Sequence, residues 1–436
     1  MFGWPVGLRC VRLESMTADE RVFVIVGASL AGAKAAEALR TEGFTGRVLL
    51  IGQEHEPPYE RPPLSKGYLL GDAPREQAYV HEPAWYDEQR IELMTGRRVA
   101  ALHPQAHTVT LDGGEQLRYD RLLLATGSVV RTLDTPGGDE DGVLYLRSMG
   151  ESDTLRAAFT ADPPPQVLVV GAGWIGLEVA AAARRHGCPV AVVENDSAPL
   201  RRVLGDELAA LFRDLHAANG VEFHFGTGVR EFGTLDGRVR SAVLDDGTEL
   251  GTDLVAVGVG IRPRTELAEH AGLAVDNGVV VDASLRTSDP DVFACGDVAS
   301  SYHPMLDRRL RVEHWSNAID GGQAAAKAML GQEVSYDPVP YFFTDQYDLG
   351  MEYCGWAGPG GYDRVVFRGD PAVVDGKAPE TIAFWLRGGC VVAAMNINVW
   401  DVQDDLKALV RAGWSGHAVD PARLTDPEVP LGTLLA

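Results

Sequence analysis

The chain has 436 residues, 45% of them hydrophobic, and a formal net charge of −23. A chain of this length is expected to divide into two or three domains, and none of its apolar runs is long enough to span a membrane. The acidic balance argues against nucleic acid as a partner, because phosphate binding takes a basic surface.

Residues 1–20 begin MFGWPVGLRC, too short an apolar run for a signal segment, and read as a disordered extension with Met16 as an alternative start. VFVIVGASLAGAKAAEALR follows: a β-branched run, a turn with Gly27, Ser29 and Gly32, then an alanine-rich helix pattern. This is the strand–turn–helix context of a dinucleotide-binding fingerprint. The first glycine makes a turn that a Cβ would obstruct, the second lets backbone approach a pyrophosphate, and the third lets helix pack on strand. Ser29 stands at the middle position, where its hydroxyl can donate to a phosphate oxygen. The next strand, RVLLIGQEHE, brings Gln53 and Glu54 to the place where a ribose is bound.

The pattern returns 144 residues later as VLVVGAGWIGLEVAAAARRHG, with Gly171, Gly173 and Gly176 all present. Its following strand, PVAVVE, ends at Glu194. A carboxylate there accepts from a ribose 2′-OH and repels a 2′-phosphate, favouring NADH, while Arg201 and Arg202 leave NADPH open. Two fingerprints in one chain imply two dinucleotides and electron transfer between them. A second duplication supports this: LDGGEQLRYDRLLLATG (111–127) matches LDDGTELGTDLVAVGVG (244–260) at a constant offset of 133.

The second half reads as inserted into the first. After Gly260 the chain runs through GVVVDASLRTSDPDVFACGDVASS to a helix expected from about Asn317 to Leu330, and this return is placed with the first domain. From about residue 338, aromatic β segments and the helix DVQDDLKALVRA read as a small α+β domain with a meander. The predicted class is therefore α/β, with two Rossmann-like nucleotide-binding domains, one inserted in the other, and a C-terminal α+β domain. The boundaries expected are 21–128 with 260–337 for the outer domain, 129–259 for the inserted one and 338–436 for the last. The five cysteines are scattered and show no CxxC spacing, which argues against a disulfide framework, zinc or an iron–sulfur centre and fits a reducing cytoplasm.

The segments GASLAG, YERPPLSK (59–66), LLLATG, GAGWIGLE, GVGIRP, ACGDVA, RVEHWSNA and AAMNINVWDV, in this order, resemble the FAD-dependent ferredoxin reductases, single-chain enzymes that feed oxygenase systems. The resemblance covers roughly residues 21–415. It implies FAD on the outer domain and NADH on the inserted one. It also implies that Asp297 binds the ribityl chain, and that Lys66 lies by the flavin N5 edge, paired with Glu178. Trp174 falls where related flavoproteins place an aromatic gate over the flavin, and Glu313 and Trp315 near the pyrimidine end. Ala31, Val99 and Arg147 fall at further FAD contacts. The same motifs mark Arg61, Ala125, Thr126, Gly127, Gly296 and His314 for FAD, and Ile175, Gly258 and Gly260 for the dinucleotides. Where the family usually has Asp, this chain has Gln53, so the ribose contact passes to Glu54.

Disulfide reductases of the wider superfamily carry a cysteine pair after the first half-site; GQEHEPPYERPPLSKGYLL has none. Without a thiolate to attack a disulfide, a one-electron acceptor is the natural exit. A small iron–sulfur ferredoxin, serving a haem-thiolate monooxygenase or a Rieske dioxygenase, is the expected partner. An acidic partner requires a local basic patch, and Arg308, Arg309 and Arg311 are the docking candidates. Rubredoxin or small-acceptor reduction, and an NADH-sensing role like that of apoptosis-inducing factor, remain as alternatives.

Overall fold

The structure, a computed structural model, describes residues 19–358 and 360–435; most of the extension read in residues 1–20 lies outside the described residues. Two five-stranded parallel sheets carry the two fingerprint-bearing halves. The first runs in the order Val292–Ala294, Arg121–Leu124, Val22–Val26, Arg47–Ile51, Ile91–Met94, and the second in the order Val143–Tyr145, Leu254–Val257, Val167–Val170, Val190–Glu194, Val221–Phe225. Position for position these are the same sheet. Their central strands are near-continuous Val, Ile and Leu and are buried along their length, as strands covered on both faces must be.

Each half also carries a three-stranded antiparallel sheet, formed by segments within 99–118 in the first and 229–251 in the second. The halves differ in one respect. The edge strand Val292–Ala294 enters the first sheet from late in the chain, whereas Val143–Tyr145 enters the second from before its fingerprint. The two connecting segments, Ser128–Val130 outbound and Ile261–Pro263 inbound, pair antiparallel with each other. The expected return helix spans Trp315–Met329 and packs on Leu30–Thr41. Gly322 permits this approach, since a Cβ there would lie 2.5 Å from the Ala31 carbonyl oxygen.

The C-terminal sheet is antiparallel but is not the meander expected. Its order is Tyr341–Gln346, Leu349–Gly355, Cys390–Ile397, Thr381–Arg387, Arg364–Arg368, so the last strand inserts beside the second. Its helix, Gln403–Trp414, starts two residues later than the sequence suggested. One face of this sheet shares a hydrophobic core with the inserted half. Trp385 is fully buried there, and its indole N–H donates to the Leu204 carbonyl at 3.1 Å. Among the described residues no helix is long and apolar enough to cross a membrane, and no cluster of His, Cys, Asp and Glu is placed to hold a metal.

Candidate functional site

The fingerprint glycines divide by what surrounds them. Gly27 and Gly171 have φ of +118° and +98°, and a Cβ would come within 2.0 Å of Ala125 O and 2.5 Å of Gly258 O respectively. Gly32 and Gly176 are fixed by packing: a Cβ on either would meet the carbonyl oxygen of the first glycine at 2.0 Å. At Gly173 a Cβ would meet no protein atom within 4 Å, so this backbone faces open space. Ser29, its counterpart, has extended backbone and makes no capping bond with its hydroxyl, which leaves the side chain available to a ligand.

That space belongs to a cavity of about 1580 Å³ bordered by both fingerprints, larger than the roughly 300–1,000 Å³ usual for one small molecule. Of the catalytic and cofactor positions predicted from sequence, only Gly32 and Gly176 do not border it. Arg61, Arg147 and Arg264 lie on the outer half of its wall, with Glu54 and Asp297 among them. Arg147 donates to Asp297 at 2.8 Å, and Arg264 to Gln53 at 3.1 Å. Burial alone would raise the Glu54 carboxyl, but Arg61 at 2.9 Å and the Tyr59 hydroxyl hold it below the usual carboxylate range.

Three buried polar atoms on the wall, Ser128 Oγ, Arg147 Nε and His314 Nδ1, have no hydrogen-bond partner among the described residues. Such atoms are rare in native interiors, and on a cavity wall they leave hydrogen bonds for a bound molecule to complete. Burial also pushes the His314 imidazole down to about 4, so its ring is neutral. The open cradle at Gly173, the three guanidinium groups and these orphaned atoms together suit phosphate-bearing ligands with hydrogen-bonding rings. FAD and a nicotinamide dinucleotide have that chemistry.

Where the halves meet, Lys66 Nζ donates to Glu178 Oε1 at 2.7 Å. Glu178 is only 4% exposed and also accepts from the hydroxyls of Ser65 and Thr344. Sequence reasoning missed Ser65 and Thr344, although Ser65 stands beside Lys66; Thr344 lies 166 positions from Glu178 and only folding joins them. Phe343 places its ring 5.4 Å from Lys66 Nζ. Trp174 is half-buried against Phe212 and Phe342, and Trp315 donates its indole N–H to Glu60 at 3.0 Å. On the inserted half, Glu194 accepts from Ala172 N at 2.7 Å and Asp196 N at 2.9 Å. Asp196 in turn pairs with Arg201 at 3.3 Å and Arg202 at 3.1 Å.

The docking candidates differ in how they are held: Arg308 and Arg309 are both exposed on the strand Arg308–Leu310. Arg309 donates to the carbonyls of Val281 and Ser300 at 2.6 and 3.1 Å, and Arg311 borders the cavity, paired with Glu313. Arg308 is exposed and has no ion-pair partner among the described residues.

Known proteins with this arrangement are close at hand. The pyridine nucleotide-disulphide oxidoreductase family matches residues 21–322, and a reductase C-terminal family matches 341–435. The chain is 42% identical to the ferredoxin–NAD(+) reductase component of an anthranilate 1,2-dioxygenase system from Burkholderia cepacia, over 96% of this chain and all of that protein. It is 35% identical to putidaredoxin reductase from Pseudomonas putida, over 97% and 98% of the two chains. The crystal structure of a covalent putidaredoxin reductase–putidaredoxin complex superposes with a TM-score of 0.88 at 34% identity, covering 95% of this chain and 98% of that one. The fold, both halves of the site and these matches along nearly the whole length agree: the chain belongs to the pyridine nucleotide-disulphide oxidoreductase family and, within it, to the ferredoxin reductases.

Proposed function

We propose that this protein is an FAD flavoprotein that takes a hydride from NADH and passes single electrons to a small iron–sulfur ferredoxin serving an oxygenase. The observation that carries the reading is the cavity bordered by two dinucleotide fingerprints, with no cysteine pair on its wall among the described residues. Cys295 borders it, but its thiol is pushed up to about 12 by burial, which removes it as a nucleophile at neutral pH.

FAD, when bound, accepts hydride and releases electrons one at a time. The chain's residues bind and orient. Gly27 and Ser29 form the turn that receives the pyrophosphate of FAD, with Arg61, Arg147 and Arg264 around it; Gly171 and Gly173 do the same for NADH. Asp297 holds the ribityl chain, and Arg147 holds Asp297. Lys66 places a cation at the flavin edge, where it favours the reduced ring, and Glu178 keeps that cation in place. Glu194, fixed by two backbone N–H groups, meets the adenosine ribose. A single cavity bordered by both fingerprints would let the two dinucleotides meet, and orientation of that kind generally supplies much of the rate advantage. A cytoplasmic place of action is part of the same reading, supported by the thiols Cys188, Cys295 and Cys354, which are buried and unpaired.

The test is NADH-driven cytochrome c reduction by the FAD-loaded protein, with and without a [2Fe–2S] ferredoxin. A large ferredoxin-dependent rate is expected, with NADPH far poorer. Normal flavin reduction by NADH, combined with indifference to several ferredoxins, would overturn the acceptor.

A further inference from the structure

Thr344 and Gln346 stand two apart on the strand Tyr341–Gln346, so both side chains leave the same face, and both are buried. Gln346 Nε2 donates to Thr344 Oγ1 at 3.1 Å, and the Thr344 hydroxyl donates to Glu178. In the other direction, Gln346 Oε1 lies 2.7 Å from His216 Nε2, on the helix Asp206–Ala218 of the inserted half. His216 Nδ1 lies 3.2 Å from the Tyr347 hydroxyl. Tyr347 takes φ of +58° in the hairpin turn, a left-handed conformation that a bulky residue adopts only when its surroundings hold it there.

The donors along this chain run one way. Glu178 accepts from Lys66, Ser65 and Thr344, so the single Thr344 proton is directed at the carboxylate while its lone pair receives Gln346. That fixes the Gln346 amide with its oxygen toward His216, which must then donate from Nε2. Burial pushes the His216 imidazole down to about 4, so the ring is neutral and Nδ1 accepts from Tyr347. Every group has one role compatible with its neighbours, and the chain ends on the carboxylate that holds Lys66.

We propose that His216, acting through Gln346 and Thr344, is a positioning residue that fixes Glu178 and thereby Lys66 at the flavin edge. The inference rests on the reading of Lys66 given above and extends it to a helix of the NADH-binding half. A buried carboxylate keeps its charge only through its donors. Loss of the relay lets the Thr344 hydroxyl turn away and loosens the hold on the ammonium.

The experiment compares the FAD-loaded wild type with Gln346→Leu, His216→Phe and Lys66→Met, and with Gln346→Leu combined with Lys66→Met. Two quantities are read: the flavin midpoint potential and the stopped-flow rate of flavin reduction by NADH. Gln346→Leu and His216→Phe are expected to slow reduction about tenfold with NADH affinity kept within about twofold. They should also destabilise the reduced state by a similar factor, a fall of about 30 mV for a two-electron couple. Lys66→Met should do at least as much, and adding Gln346→Leu to it should change nothing further. If Lys66→Met leaves the potential where it was, the reading of Lys66 itself fails. If Lys66→Met lowers it but Gln346→Leu does not, or the two effects add in full, the relay is wrong. Should Gln346→Leu not retain flavin, Thr344→Val against Thr344→Ser decides the matter. Thr344→Val removes the hydroxyl that Thr344→Ser keeps, and only Thr344→Ser should behave as wild type.

Discussion

At the scale of single residues, the proposed preference for NADH over NADPH turns on Asp196 as well as on Glu194. The Glu194 carboxylate is committed to two backbone N–H groups, and Asp196 holds Arg201 and Arg202, the cations that the sequence left open for a 2′-phosphate. Hydrogen bonding from Ser197 N, then the two arginines, hold the Asp196 carboxyl below its usual range, so it stays charged near neutral pH. Asp196→Asn should therefore raise kcat/KM for NADPH about tenfold, the effect of roughly 1.4 kcal/mol, with NADH turnover little changed. Parallel steady-state kinetics with the two coenzymes check it, and an unchanged ratio would remove Asp196 from the specificity set. The arginines and the acid at the strand end were legible in sequence. Their pairing was not, because side chains five and six residues apart meet only when the intervening turn folds.

At the scale of elements, the two strand–turn–helix units show how a sequence pattern becomes a binding surface. In each unit the outer two glycines, Gly27 and Gly32 or Gly171 and Gly176, answer to the protein's own backbone, and the middle position, Ser29 or Gly173, borders the cavity. Gly173→Ala should accordingly fold, its melting point lowered by no more than about 3 °C, the loss of a glycine helix cap. It should raise KM for NADH tenfold or more while the flavin absorbance is retained. Gly176→Ala, whose Cβ would meet the Gly171 carbonyl at 2.0 Å, should instead lose soluble protein. Measured together, thermal melts and NADH titrations separate the two effects, and equal behaviour of the variants would refute the division. These parallel strands could be read directly because they are buried on both faces and so written in unbroken apolar runs. The C-terminal strands could be read one by one, but not their order. Pairing Cys390–Ile397 with Leu349–Gly355 is a long-range choice that no local pattern encodes.

At the scale of the whole molecule, the net charge of −23 sets the terms on which an acidic partner can approach. Of the three arginines marked for docking, Arg311 is paired with Glu313 and Arg309, though exposed, is held by two backbone carbonyls, which leaves Arg308 as the exposed cation with no such tie among the described residues. Arg308→Glu should raise the KM for ferredoxin several-fold, more so at low salt, as expected of an exposed steering charge. NADH oxidation by ferricyanide should be unaffected. Loss of both activities together would show that the residue supports the fold rather than the partner. Arg309→Glu is the poorer test, since it would strip two backbone carbonyls of their donor.

The sequence by itself determined the duplication, the two dinucleotide fingerprints and the pair of cofactors they call for. Each of these rests on contacts between residues close in the chain, in periods and turns that local sterics enforce. Only the tertiary structure decided how the halves act on one another. It brought Thr344 and Ser65 onto Glu178, tied His216 of one half to Gln346 of the C-terminal sheet, and merged that sheet's core with the inserted half around Trp385. These groups lie up to 181 positions apart. Their meeting depends on strand order and on the burial of shared apolar faces, which are properties of the packed whole.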